Sequence, residues 1–210
     1  MFKKTYLKIV DTGVKDNLSE TTRRQVRSTN IAAILSIMML VSWIPFAFIF
    51  YVSIISNIVN FLGALSFLPI FFLNKSGRRT LAAIWLLISI YLLTLINLYL
   101  YGYESGMSLI FVILIPLPFL TIFSRVKNLA IIFSLFCCVT WILIVSFNSN
   151  FPPHLEGINS QLNLKLNVTF IGLLLSMLFF SLSNTIHHAE KFLPQEREKS
   201  DAYMVSGGLY

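Results

Sequence analysis

Charged positions divide the chain into uncharged stretches whose lengths can be measured against a bilayer. The hydrocarbon core is about 30 Å thick and a helix rises about 1.5 Å per residue, so one crossing takes about 20 apolar residues. From Ile31 to Asn74 no residue is charged, which is about twice that length. This predicts two helices joined by a tight turn near Tyr51 to Asn57, where Ser53, Ser56 and Asn57 can hydrogen-bond freed backbone groups. Leu81 to Leu100, Met107 to Ser124, Leu129 to Phe147 and Leu166 to Thr185 each measure close to one crossing. Backbone groups in hydrocarbon must be satisfied within the chain, and the alternating segments of a membrane barrel are absent, so the stretches are helices. The pattern predicts an all-α membrane protein, a bundle of six transmembrane helices.

Composition agrees and removes other classes. Of the 210 residues, 56% are hydrophobic and 12% charged, with a mean hydropathy of +0.77. Soluble domains run to about 25% charged residues, and disordered chains lack the apolar side chains present here, among them 19 Phe. The net charge of +7 invites a nucleic-acid reading until the basic residues are placed. With the N-terminus and every second loop on one side, that side holds seven basic residues from Lys3 to Arg27, then Lys75, Arg78, Arg79, Arg125, Lys127, Lys191, Arg197 and Lys199. The opposite side holds Lys165 alone. Lys and Arg accumulate on the cytoplasmic side, so this partition predicts both termini in the cytoplasm and explains the charge by topology, with no nucleic acid. No signal-peptide cleavage site follows the first helix.

Four segments are expected. Residues 1–29 form a basic N-terminal segment in which Phe2, Tyr6, Ile9 and Val10 interleave with Lys3, Lys4 and Lys8, the pattern of a short helix lying on anionic headgroups. Asn17 or Ser19 can then cap a helix running through Glu20, Arg23, Arg24 and Arg27 into the first span. Residues 30–187 form the transmembrane domain, 188–200 a helical cytoplasmic stalk, and 201–210 a terminal segment. Prolines 45, 69, 116 and 118 fall within spans, and Ile115-Pro116-Leu117-Pro118 should bend its helix most.

Little in the spans carries chemistry. The central stretches hold no ionisable residue, which removes the usual mark of proton relays and ion paths; a small transporter would need such a charge or an inverted repeat, and neither is seen. Asn60, Asn97, Ser134, Thr140 and Asn184 can hydrogen-bond between helices. Cys137 and Cys138 are adjacent and read as small core residues, while His187 and His188 sit where the last span ends. An apolar ligand among the Phe-rich helices suits this chain better than a large soluble one.

The two ends resemble a known family. His188-Ala189-Glu190-Lys191 and Glu196-Arg197-Glu198-Lys199-Ser200 are similar to the stalk between a six-helix membrane domain and the catalytic domain of bacterial class III adenylate/guanylate cyclases. Asp11-Thr12-Gly13-Val14-Lys15-Asp16-Asn17-Leu18-Ser19-Glu20, with Arg23, Arg24, Arg27 and Asn30, looks like the lead-in of such receptors; membrane histidine kinases share both features. Asp201-Ala202-Tyr203-Met204-Val205-Ser206-Gly207-Gly208-Leu209 resembles the cyclase strand motif Gly-Asp-Ala-Tyr-Met-Val-x-x-Gly-Leu-Pro, with Ser200 and Tyr210 in place of its first Gly and last Pro. The resemblance implies an anchoring and signal-receiving domain for an enzyme that converts ATP to cyclic AMP and pyrophosphate, set in the bacterial inner membrane and working as a homodimer. It implies that Asp201 corresponds to a metal-binding aspartate for Mg2+ or Mn2+. A catalytic domain needs on the order of 100 residues between stalk and motif. Here they abut, so this chain is expected to hold no cofactor and to make no cyclic nucleotide. The sensor domain of a histidine kinase is the competing expectation.

Overall fold

A computed structural model describes residues 8–15, 18–49, 54–121, 127–147, 164–165, 168–169, 172 and 176. The chain divides into a unit of residues 1–172 and a second of 173–210, and all the described residues but Ser176 belong to the first. The expected sixth span falls largely, and the stalk and terminal motif with Asp201 wholly, outside these residues. Among the described residues no strand occurs; the elements are helices α1 (Glu20–Ile49), α2 (Ile54–Ser66), α3 (Leu68–Lys75), α4 (Arg79–Tyr101), α5 (Ile110–Leu114), α6 (Leu117–Thr121) and α7 (Lys127–Ser146). Two short 3-10 turns, Tyr103–Ser105 and Met107–Leu109, link α4 to α5.

Among the described residues four segments are long and apolar enough to cross a membrane: Glu20–Pro45, Ile54–Lys75, Arg79–Tyr101 and Asn128–Ser146, with Met107–Phe119 a shorter apolar helix. They match four of the six expected spans, and the shorter helix lies in the expected span from Met107 to Ser124. The distribution of side chains is that of a bundle in lipid. On α2, Ser56, Asn60, Gly63 and Ala64 are buried, while Ile54, Ile55, Ile58, Phe61 and Leu62 face outward. On α7, Ile132, Leu135, Phe136, Val139, Ile142 and Leu143 face outward too. A water-soluble bundle would invert this; in lipid, small residues such as Ala32, Ala33, Ala82 and Ala83 let backbones approach closely, and outward apolar surface costs nothing.

The predicted breaks have local causes. Ser19 caps α1: its hydroxyl accepts the Thr22 N–H at 3.3 Å, and Glu20 pairs with Arg24 a turn later. Ser56 and Asn57 lie inside α2 rather than in a turn before it. At Phe67 the span bends, because Pro69 cannot donate to the preceding turn; α3 starts there with Pro69 in its first turn. A second break, at Ile115-Pro116, separates α5 from α6. Phe119 N–H bonds Pro116 O at 3.1 Å rather than Ile115 O, and the Ser134 hydroxyl of α7 donates to that freed carbonyl at 2.6 Å. Tyr91 ties the same region together, bonding Thr140 at 3.1 Å with its ring against Phe111, Phe133 and Phe136.

Candidate functional site

Polar side chains collect at the two ends of the bundle. At the basic end, where α1 begins and α3 turns into α4, the chain before α1 folds back onto both. Asn30, fully buried, donates to Val10 O at 2.8 Å and to Thr12 O at 2.9 Å. Its own Oδ1 accepts Asn74 Nδ2 at 2.7 Å. One amide therefore joins three segments that are 20 and 44 residues apart. Asp11 adds an ion pair to Arg27 at 2.7 Å, both about half exposed.

The turn that makes this contact requires glycine. Gly13 has φ +84°, and a Cβ there would meet Asn74 O at 2.4 Å and Asn74 C at 2.5 Å. The backbone is both left-handed and in direct contact with the end of α3, which a side chain would prevent. Val10 is buried, so the described end of the N-terminal segment belongs to the bundle; the expected headgroup contacts of residues 1–7 lie outside the described residues. Arg23, Arg24 and Arg27 thus share one end with Lys75, Arg78 and Arg79, the association that the charge partition calls for.

A second cluster closes the opposite end. Trp43 of α1 donates its indole N–H to the Tyr101 hydroxyl of α4 at 3.2 Å, and the rings meet edge to face at 6.4 Å. Ser56 of α2 hydrogen-bonds the same hydroxyl. Tyr101 is 2% exposed, so one phenol joins three helices in a dry site. Deeper along the interface lie Asn60 and Asn97, both buried. Asn60 Nδ2, Asn97 Oδ1 and Asn57 Oδ1 have no hydrogen-bond partner among the described residues.

Ser134 and Thr140 do bond between helices. Asn60 and Asn97, expected to do the same, lie instead with unmatched groups; Asn184 is outside the described residues. Cys137 is buried and Cys138 half-buried, both free thiols. Asp201, His187 and His188 are outside the described residues, and among those described no group of three or more His, Cys, Asp or Glu gathers that could hold a metal ion. One aspartate supplies too few ligands for the pair of ions the cyclase resemblance implies. Asn74, Trp43 and Tyr101 were not singled out by the sequence. A polar side chain inside an uncharged stretch, as Asn74 is, was the available signal.

The comparisons give the frame for these sites. No curated protein and no solved structure matches the chain. The MASE7 family model, that of a membrane-associated sensor domain, matches residues 15–196. That match takes in the apolar helices, both polar clusters from Asn30 onward and the region after α7, and the chain belongs to the MASE7 family.

Proposed function

We propose that this domain is the signal-receiving membrane anchor of a class III nucleotidyl cyclase whose parent enzyme converts ATP to cyclic AMP and pyrophosphate. The observation that carries this reading is the run Asp201 to Leu209, nine consecutive positions similar to a cyclase strand motif, after a charged exit segment without Gly between Ser183 and Ser200. Membership among membrane-associated sensor domains supports the input role. The gathering of Arg23, Arg24, Arg27, Lys75, Arg78 and Arg79 at one end supports a cytoplasmic position for that end, in a bacterial inner membrane.

In this reading a ligand held among the helices, or the state of the membrane, favours one packing of the bundle over another. Only a ligand with different affinities for the two packings can shift them. The sequence from Ser183 to Leu193 holds no Gly or Pro, and the change would pass along it to the stalk. Two copies associate through bundle and stalk, since cyclase sites of this class form between catalytic domains.

The test is the genomic reading frame downstream of codon 199. A catalytic domain opening on a Phe-x-Asp-Ile-x-Gly-Phe type strand is expected; a phosphoacceptor helix with His and Arg-Thr-Pro would overturn the proposal. Membranes holding the chain, given ATP or GTP with Mn2+, should yield no cyclic nucleotide. Cysteines placed singly from Ala189 to Leu193 should crosslink between copies, and failure at every position would contradict the dimer.

A further inference from the structure

Ile54–Lys75 and Arg79–Tyr101 are each long and apolar enough to cross a membrane, and only residues 76–78 separate them. A connection that short cannot leave the bilayer surface, so the turn between α3 and α4 sits at the level of the lipid headgroups. It carries three basic residues, Lys75, Arg78 and Arg79. Lys75, Ser76, Gly77 and Arg78 are exposed and Arg79 is half-buried. Gly77, at φ +84°, has open space above it.

These cations lack what the other basic residues of this end have. Arg23 donates from Nε to Leu18 O at 3.1 Å, Arg24 pairs with Glu20 at 3.1 Å and Arg27 with Asp11 at 2.7 Å. Asp11 and Glu20 are the acidic residues of this end among those described, and both are taken. Lys75, Arg78 and Arg79 form no ion pair or side-chain hydrogen bond among the described residues, and Arg79 Nε is also shut off from solvent. A guanidinium N–H desolvated without an acceptor is costly, which favours an anion from outside the protein. The backbone adds donors of the same kind. Arg78 N–H is used by the end of α3, bonding Leu73 O at 2.9 Å, but no side chain caps α4. The first N–H groups of that helix, and the positive end of its dipole, are therefore left toward the turn.

We propose that the Lys75–Arg79 turn binds the phosphate of an anionic phospholipid, in class a phosphodiester headgroup without a cation of its own. A zwitterionic headgroup brings its own ammonium to the same place and gains less. The acyl chains have apolar surface on the bilayer side, where Phe72, Leu81 and Trp85 face outward. Trp85 lies six residues from Arg79, about 9 Å along α4. The contact makes the junction of two spans sensitive to the charge of the surrounding leaflet, whichever enzyme follows the domain.

Trp85 reports the lipid beside it. The full chain is placed in nanodiscs of phosphatidylcholine and phosphatidylglycerol, with bromine, a contact quencher of indole fluorescence, on the acyl chains of one lipid or the other. The quenching that Trp85→Phe removes gives the relative affinity of the two lipids for the site. Phosphatidylglycerol should be preferred about tenfold or more, since each basic residue near an anionic surface contributes about fivefold. Arg78→Gln should lower the preference by about that fivefold, and Lys75→Gln/Arg78→Gln/Arg79→Gln should abolish it. Arg23→Gln removes the same charge from a side chain that is already engaged, and should lower it less than about twofold. Equal quenching by the two lipids would overturn the proposal, as would equal effects of Arg23→Gln and Arg78→Gln, the mark of diffuse charge. A preference abolished by glycerol phosphate in the buffer would also overturn it, by making the ligand a soluble phosphate ester. Should the triple variant lose helical circular dichroism, Lys75→Gln/Arg78→Gln, both exposed, carries the same test.

Discussion

Replacing Asn30 by Leu should release the segment before α1 from the bundle. The substitution is close in size and removes three hydrogen bonds, to Val10 O, to Thr12 O and from Asn74 Nδ2. At about 0.5–1.5 kcal/mol each, their loss comes to about 3 kcal/mol. Undocking returns the stranded groups to water, so the cost falls on the local equilibrium rather than on the whole fold. At about 1.4 kcal/mol per tenfold, the open form should rise by about a hundredfold. Amide hydrogen exchange on the full chain in nanodiscs reads this directly at Thr12 N–H, bonded to Ile9 O, and at Val14 N–H, bonded to Asp11 O. Arg27→Ala is the control. Its ion pair with Asp11 is short at 2.7 Å, but both side chains are 43% exposed, and such pairs contribute about 0–1 kcal/mol. Exchange should therefore quicken less than about fivefold in that variant. If Arg27→Ala opens the segment as far as Asn30→Leu, or if Asn30→Leu leaves exchange unchanged, the buried amide is not what holds it.

Gly13→Ala should give the same loss of protection with every Asn30 bond still available, because its Cβ would strike the Asn74 backbone; retained protection would show that the turn can shift. Tyr101→Phe leaves Ser56 without its phenolic partner and removes one acceptor from Trp43. Thermal unfolding in detergent should register a loss of about 1–3 kcal/mol, and an unchanged midpoint would count against a dry site. Ser134→Ala should cost about 1–2 kcal/mol by stranding Ile115 O. In a Pro116→Ala/Pro118→Ala background, where Phe119 N–H can reach that carbonyl, the cost should shrink; equal costs in both backgrounds would refute the assignment. With Cys137 and Cys138 replaced by Ala, single cysteines at Ser76 and Glu104 should label from opposite faces of the membrane, and labelling from one face would break the alternation of spans.

Much of the layout was legible because one physical quantity controls it. An uncharged stretch of sufficient length must become a helix in hydrocarbon whatever its neighbours do. The stretches from Leu81 and Leu129 accordingly mark helices that begin within a few residues of the charges before them, while the helix of the first stretch begins at Glu20, ahead of it. The break at Ile115-Pro116 was legible for a similar reason, since a proline lacks its N–H wherever it sits. Residue type and position offered Asn17 or Ser19 as the cap of α1, and Ser19 takes it.

The sites were not legible in this way, because they depend on which helices meet and at what height. Asn30 and Asn74 are 44 residues apart, and only the antiparallel return of α2 and α3 brings them together. Nothing local to Gly13 announces that Asn74 lies against it. Asn60 and Asn97 illustrate the difference best. Residue type alone made them adhesive between helices, whereas the register set by Ser56–Tyr101 and Gly63–Leu93 leaves their amides buried and unmatched. Helix positions and breaks came from hydrophobic length and proline position, which act along the chain. The joined N-terminal segment and the unmatched amides came from interhelical register, which the outward apolar faces do not encode because lipid accepts them at any rotation.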